Sequence, residues 1–161
     1  KWYKAHPSSI NPQLMNWQQA TGCISIGDDA ATDGDLDAAF ALLLAHKQWG
    51  SAGTINYLQA ATNLINAIKA SEVYAGYNSL QLGDWANGGS MQNGTRPSDF
   101  IFDHLRSFQV ATGDVTWNNV LNKCYSLISR MQTSYSPNTG LIPDFIQKTD
   151  GTNWSVIGVG Y

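Results

Sequence analysis

The stretch "ATDGDLDAAFALLLAHKQW", Ala31 to Trp49, decides how the chain is read. Leu36, Ala39, Phe40, Leu43, Leu44 and Lys47 recur at spacings of three and four, the period of an amphipathic helix. Thr32 or Asp33 stands where an N-cap is expected, and Gly50 stands where the helix should stop. Three aspartates, Asp33, Asp35 and Asp37, occupy alternate positions at its start. Carboxylates there complement the helix dipole at about 0.3–1 kcal/mol each, which explains one or two of them. An EF-hand loop fails, because its sixth position needs Gly and its twelfth Glu, whereas the chain has Ala38 and Leu44. What remains is a short acid, fixed by a helix start, that holds a hydroxyl or a water.

Outward from this helix the same period marks three more. The second starts near Thr54, carries Ile55, Leu58, Ala61, Ile65 and Ile68 on one side, and ends before "VYAGY". A third follows Pro97 with Ser98 as its cap. The fourth shows Trp117, Val120, Leu121, Cys124, Leu127, Ile128 and Met131 and stops at "SPNTG". Gly50 to Gly53 links the first two, "ATGDV" links the last two, and a polar stretch from Gly76 to Pro97 containing "LGDW" separates the pairs. Such pairs predict stacked αα-hairpins in an all-α toroid or solenoid, with Asp33 and Asp99 opening equivalent helices. Two hairpins alone leave apolar sides uncovered, so the 161 residues read as part of a larger array.

Charged residues make up 13% of the chain and the net charge is −3, which excludes a basic face for nucleic acid phosphates. No run approaches 18 apolar residues, so no membrane span is predicted. Six Trp, seven Tyr and five Phe exceed what a small core needs and suit a surface that binds a neutral polymer. Eleven of the 12 acids are Asp, and small polar side chains abound, a composition expected of a secreted bacterial enzyme. The chain opens on Lys1, which reads as a processed or cut product. Cys23 and Cys124 allow one disulfide in an oxidising compartment, while the apolar stripe around Cys124 favours a buried free thiol. His6 and His46 have no acid or cysteine partners at ligand spacing, so neither a metal nor a cofactor is expected. Asp99 and Arg106 read as a structural ion pair or cap, His104 as a core or loop histidine, and Trp117 as core filler.

The opening stretch resembles the signature of glycoside hydrolase family 8. Ala31, Thr32, Asp33, Gly34, Asp35, Ala39, Ala41, Leu42, Leu43, Ala45 and Trp49 all fit it, and Ala38 departs where the family prefers Ile or Met. "LMNWQ", "LGDWA", "TRPSDFIFDHLRSFQVATGD" and "NTGLIPDF" are similar to the family in order and spacing, so the resemblance covers essentially the whole chain.

The resemblance implies an (α/α)6 barrel, of which residues 1–161 form part of a single catalytic domain. It implies an endo-acting enzyme that cuts β-1,4-linked polysaccharide with inversion, an endo-β-1,4-glucanase first. Chitosanase or lichenase activity, or a non-catalytic sugar-binding fragment, stand as alternatives. The partner is then a polysaccharide, β-glucan or chitosan, together with the remaining segments of the same domain. Inversion needs an acid and a base about 6.5–9.5 Å apart. The family draws its acid from a glutamate upstream of the signature and its base from an aspartate after a Gly-Tyr pair. No Glu precedes Asp33 and the chain ends at "GVGY", so both are expected outside it, and Glu72 is given no role. The family pattern makes Asp33 the catalytic-site residue, which holds a ring hydroxyl and the attacking water. It gives Trp17 and Trp85 the stacking of glucosyl rings, Tyr161 a place beside the base, and Arg96 a substrate contact.

Overall fold

In the computed structural model, which describes residues 2–148 and 153–158, the chain enters through a one-turn helix α1 (Trp2–Ala5). An antiparallel hairpin follows, β1 (Asn16–Ala20) and β2 (Ile24–Ala30), turning through Gly22 and Cys23 at φ 83 and 61. Its register shifts twice, between Asn16 and Gln18 and between Gln18 and Gln19.

The signature stretch forms α2 (Thr32–Trp49), but its cap is not the expected one. Ala31 stands at the N-cap in extended backbone with no side-chain cap, Thr32 Oγ1 donates instead to the Gln81 carbonyl at 2.7 Å, and Asp33 already lies within the first turn. Gly50 ends the helix at φ 72, its N–H donating to His46 O at 2.8 Å. α3 (Tyr57–Ser71) begins later than Thr54, because the Asn56 side chain accepts the Gln59 N–H at 2.9 Å and fixes the first turn there.

The polar stretch after α3 holds a minimal hairpin, β3 (Val73–Tyr74) and β4 (Ser79–Leu80), a 3-10 turn (Asp84–Ala86) and β5 (Gly94–Thr95). Pro97–Asp99 is a second 3-10 turn rather than a helix start. α4 (Phe102–Thr112) therefore begins after Ile101 without a side-chain cap, so Ser98 caps nothing and Asp99 does not open the helix equivalent to α2. α5 (Thr116–Tyr135) follows, its first turn held by Asp114 Oδ1 accepting the Thr116 N–H at 2.9 Å. β6 (Ile146–Lys148) pairs with both β5 and β7 (Trp154–Val156).

The expected helix pairs are present: α2 packs on α3, α4 on α5, and α4 bridges the pairs. Leu36 and Ala39 of α2, Ile65 and Ile68 of α3, Leu105 and Phe108 of α4, and Val120 and Met131 of α5 are fully buried between them. Each large aliphatic side chain so buried contributes about 1.5–3 kcal/mol. Trp117 is buried edge-on to Phe108, ring centroids 5.1 Å apart, the core position expected of it. The core is mainly helical, as expected, and the short strands add Ala30, Leu80, Ile146 and Trp154 to it. Asp37 joins α2 to α4 through His104 Nε2 at 2.9 Å, with Phe40 stacked on the imidazole. Lys69 of α3 holds Asp114 at 2.5 Å, and that hydrogen bond draws the Asp114 carboxyl down to about 2.

Both cysteines are free. Cys23 is exposed in the hairpin turn, whereas Cys124 lies in the core of α5, where burial pushes its thiol up to about 12. Among the described residues no helix is long and apolar enough to cross a membrane.

Candidate active site

A cleft of about 410 Å³ opens at the start of α2, where strand β1 with Trp17 and the segments carrying Trp85 and Arg96 meet Asp33. Asp29, Ala30, Ala31, Leu82, Asp99 and Phe145 complete its lining. The structure thus brings together four residues singled out in the sequence. Tyr161, the fifth, lies outside the described residues.

Glycines let both indoles reach the cleft. Trp17 sits within the first register shift of β1 and lies over Gly27 of β2. A Cβ at Gly27 would fall 2.3 Å from its Nε1. Gly83 is tighter still: a Cβ there would meet the Ala30 carbonyl oxygen at 2.0 Å and Trp85 Nε1 at 2.8 Å. Only a residue without a side chain lets the turn bearing Trp85 approach the end of β2. Trp17 remains 56% exposed and Trp85 42%, so each presents an apolar face to the cleft. On the opposite side Arg96 lies 5.0 Å over the Phe145 ring, and its Nε donates to Asp144 Oδ1 at 2.9 Å.

The three aspartates of α2 point three ways. Asp33 is exposed to the cleft and accepts only its neighbour's N–H, that of Gly34 at 2.8 Å, among the described residues. Asp37 meets His104. Asp35, expected among capping and dipole contacts, is fully buried instead and accepts the Met15 N–H at 2.9 Å. Under it lies Glu72, also fully buried, at the end of α3. Neither oxygen of Glu72 nor Oδ2 of Asp35 meets a donor among the described residues. Asp35 and Glu72 act on each other, and a proton shared between them would satisfy these oxygens. Burial pushes Asp35 up to about 7, and burial followed by the Asp35 charge holds Glu72 well above the usual carboxylate range.

Asp84, beside Trp85, is the fixed point of the site. Its Oδ2 accepts Ser8 Oγ at 2.6 Å and the Asn11 N–H at 3.2 Å, and its Oδ1 accepts the Ala30 N–H at 2.9 Å. The expected pairing of Asp99 with Arg106 does not occur. Arg106 donates to Asp103 Oδ1 at 2.8 Å and to the Tyr125 hydroxyl at 2.5 Å, while Asp99 lines the cleft. Asp103, three residues before Arg106 on one helix, is the signal in the sequence that could have shown this. Among the described residues no three His, Cys, Asp or Glu side chains group as metal ligands. The cleft therefore offers two aromatic platforms, a guanidinium and carboxyls of different burial, an arrangement suited to holding a polyhydroxylated ring.

The family model for glycosyl hydrolases family 8 matches residues 1–157, and the chain belongs to that family. It is 52% identical over 153 residues to a beta-glucanase of Niallia circulans, covering 94% of this chain and 37% of that protein. It is 51% identical over 150 residues to an endoglucanase of Bacillus sp. (strain KSM-330), covering 92% of this chain and 32% of that protein. Among solved structures, a beta-1,3-1,4-glucanase from Paenibacillus sp.X4 matches with a TM-score of 0.92 at 52% identity, over 95% of this chain and 40% of that one. The chain thus spans about a third to two fifths of the length of these relatives.

Proposed function

We propose that the protein is a secreted endo-β-glucanase that inverts the anomeric centre, and that this chain supplies one wall of the glucan cleft of an (α/α)6 barrel. The observation that carries the reading is the exposed Asp33 carboxylate in one cleft with the open faces of Trp17 and Trp85 and the Arg96 guanidinium. The indoles take the axial C–H faces of glucosyl rings by flat contact. Asp33 accepts a ring hydroxyl and orients the ring and the attacking water, so its contribution is positioning rather than proton transfer. Inversion draws its acid and base from two further carboxyls. Linkages of the β-1,4 type are the first choice, in cellulose-like or mixed-linkage glucan, in keeping with the names of the relatives.

Chitosan is the second reading, favoured by the carboxyls of Asp29, Asp33 and Asp99 along a cleft whose guanidinium is turned to Asp144. Turnover of lichenan, carboxymethylcellulose and chitosan by the full-length protein, with the anomer of the first product followed by NMR, separates these readings. Asp33→Ala is expected to lower the rate by about two orders of magnitude or more, with little change in melting temperature. A wild-type rate in that variant would remove Asp33 from the site.

A further inference from the structure

Asp99 has no part in the β-glucanase reading above, yet it is the most buried of the three carboxyls on the cleft wall. It closes the Pro97–Asp99 turn and is 3% exposed. A polar side chain buried to that extent is ordinarily hydrogen-bonded at both ends. Asp99 receives one side-chain hydrogen bond among the described residues, to Oδ1 from Ser98 Oγ at 2.9 Å. Arg96 acts on it through its charge while directing its Nε to Asp144, and Arg106 turns to Asp103 and Tyr125. Nor does Asp99 cap α4, which starts beyond Ile101 without a side-chain cap. Asp84, equally buried, shows the contrast, since it collects three donors. Asp99 lines the cleft, so a donor held there is within reach of its second oxygen.

We propose that Asp99 is a substrate-binding residue whose free oxygen accepts a hydroxyl of a glucosyl ring held in the cleft beside Asp33. The assignment rests on the β-glucanase reading. Burial, and then the Asp33 charge, lift the Asp99 carboxyl to about 6 against the opposing hydrogen bond from Ser98. A hydroxyl donor favours the ionised form, so glucan binding tightens as pH rises through this value.

The test is the steady-state kinetics of the full-length enzyme on lichenan from about pH 5 to about pH 7.5, for wild type, D99N and D99A, with the melting temperature of each. D99A is expected to raise KM about tenfold with kcat within about threefold of wild type. D99N, isosteric and without a titrating proton, is expected to lose the fall in KM near pH 6. A structural role alone would lower the melting temperature and leave KM and its pH profile in place. Wild-type KM and pH profile in D99N would overturn the assignment, as would a D99N protein unable to fold, even where D99A is unfolded. Absence of turnover on any β-glucan by the wild type would overturn the β-glucanase reading and this assignment with it.

Discussion

The Ala30 N–H donates to the Asp84 carboxylate, and this one bond joins the two halves of the cleft. Ala30 ends β2, three residues before Asp33, and Asp84 opens the turn that carries Trp85. With Ser8 and Asn11 on the other oxygen, two segments of chain are pinned by three donors to one buried side chain.

Asp84→Ala leaves those three donors without an acceptor. At about 1–3 kcal/mol for each unsatisfied group, the expected loss is at least about 3 kcal/mol in urea unfolding. Asp84→Asn keeps one acceptor and turns an amide N–H₂ toward the remaining donors, so an intermediate loss is expected. An alanine variant within about 1 kcal/mol of wild type would show that the clamp is dispensable.

Gly83→Ala tests the approach of the two loops. The added Cβ meets backbone at Ala30 rather than a flexible side chain, so the Trp85 turn must move. A lower melting temperature together with weaker cello-oligosaccharide binding is expected. Gly53→Ala, where no atom lies within 4 Å, serves as the control and is expected to change neither.

The tryptophans divide by burial. Trp117→Ala empties a fully buried site and is expected to cost about 3–5 kcal/mol. Trp17→Ala and Trp85→Ala remove half-open rings, so calorimetry is expected to show weaker oligosaccharide binding with nearly unchanged melting. A Trp85 variant that melts early but binds normally would make that indole a core residue.

The buried pair Asp35 and Glu72 predicts a stability that falls as pH rises. Both carboxyls titrate higher in the folded chain than in the unfolded one, so the folded state binds more protons between about pH 4 and 7 and loses stability across that window. For Asp35 alone the change from an ordinary carboxyl to one at about 7 is on the order of 4 kcal/mol. Unfolding free energies at about pH 5 and about pH 8 check the sign, and Glu72→Gln is expected to flatten the difference. Stability that rose toward pH 8 would contradict the shared proton.

The helices and most of the cleft could be read from the sequence because their signals are local or carried by the family pattern. α2 declares itself through Leu36, Ala39, Phe40 and Leu43, and the family pattern supplies Asp33, Trp17, Trp85 and Arg96. The hairpin β1–β2 escaped because its faces are mostly exposed and its register breaks twice, so no alternation of polar and apolar residues marks it. Glu72 and Asp35 lie far apart in the chain, and only the packing of α3 on α2 buries one against the other. Asp99 was obscured by a plausible charge partner, since the sequence gives Arg106 two acids and it takes Asp103, the one a helical turn away.

The register shift that spans Trp17 gives this cleft a part that evolution can retune on its own. A bulge sets which way a strand's side chains point, and here it sets the aim of a single indole lying on Gly27. Changing the length of the β1–β2 hairpin by one residue would swing that ring away while the helical layer, with its own separate contacts, kept its packing. On the β-glucanase reading, a difference in chain-length preference between this protein and a relative is expected to trace to an insertion or deletion between Asn16 and Ala30 rather than to the helices.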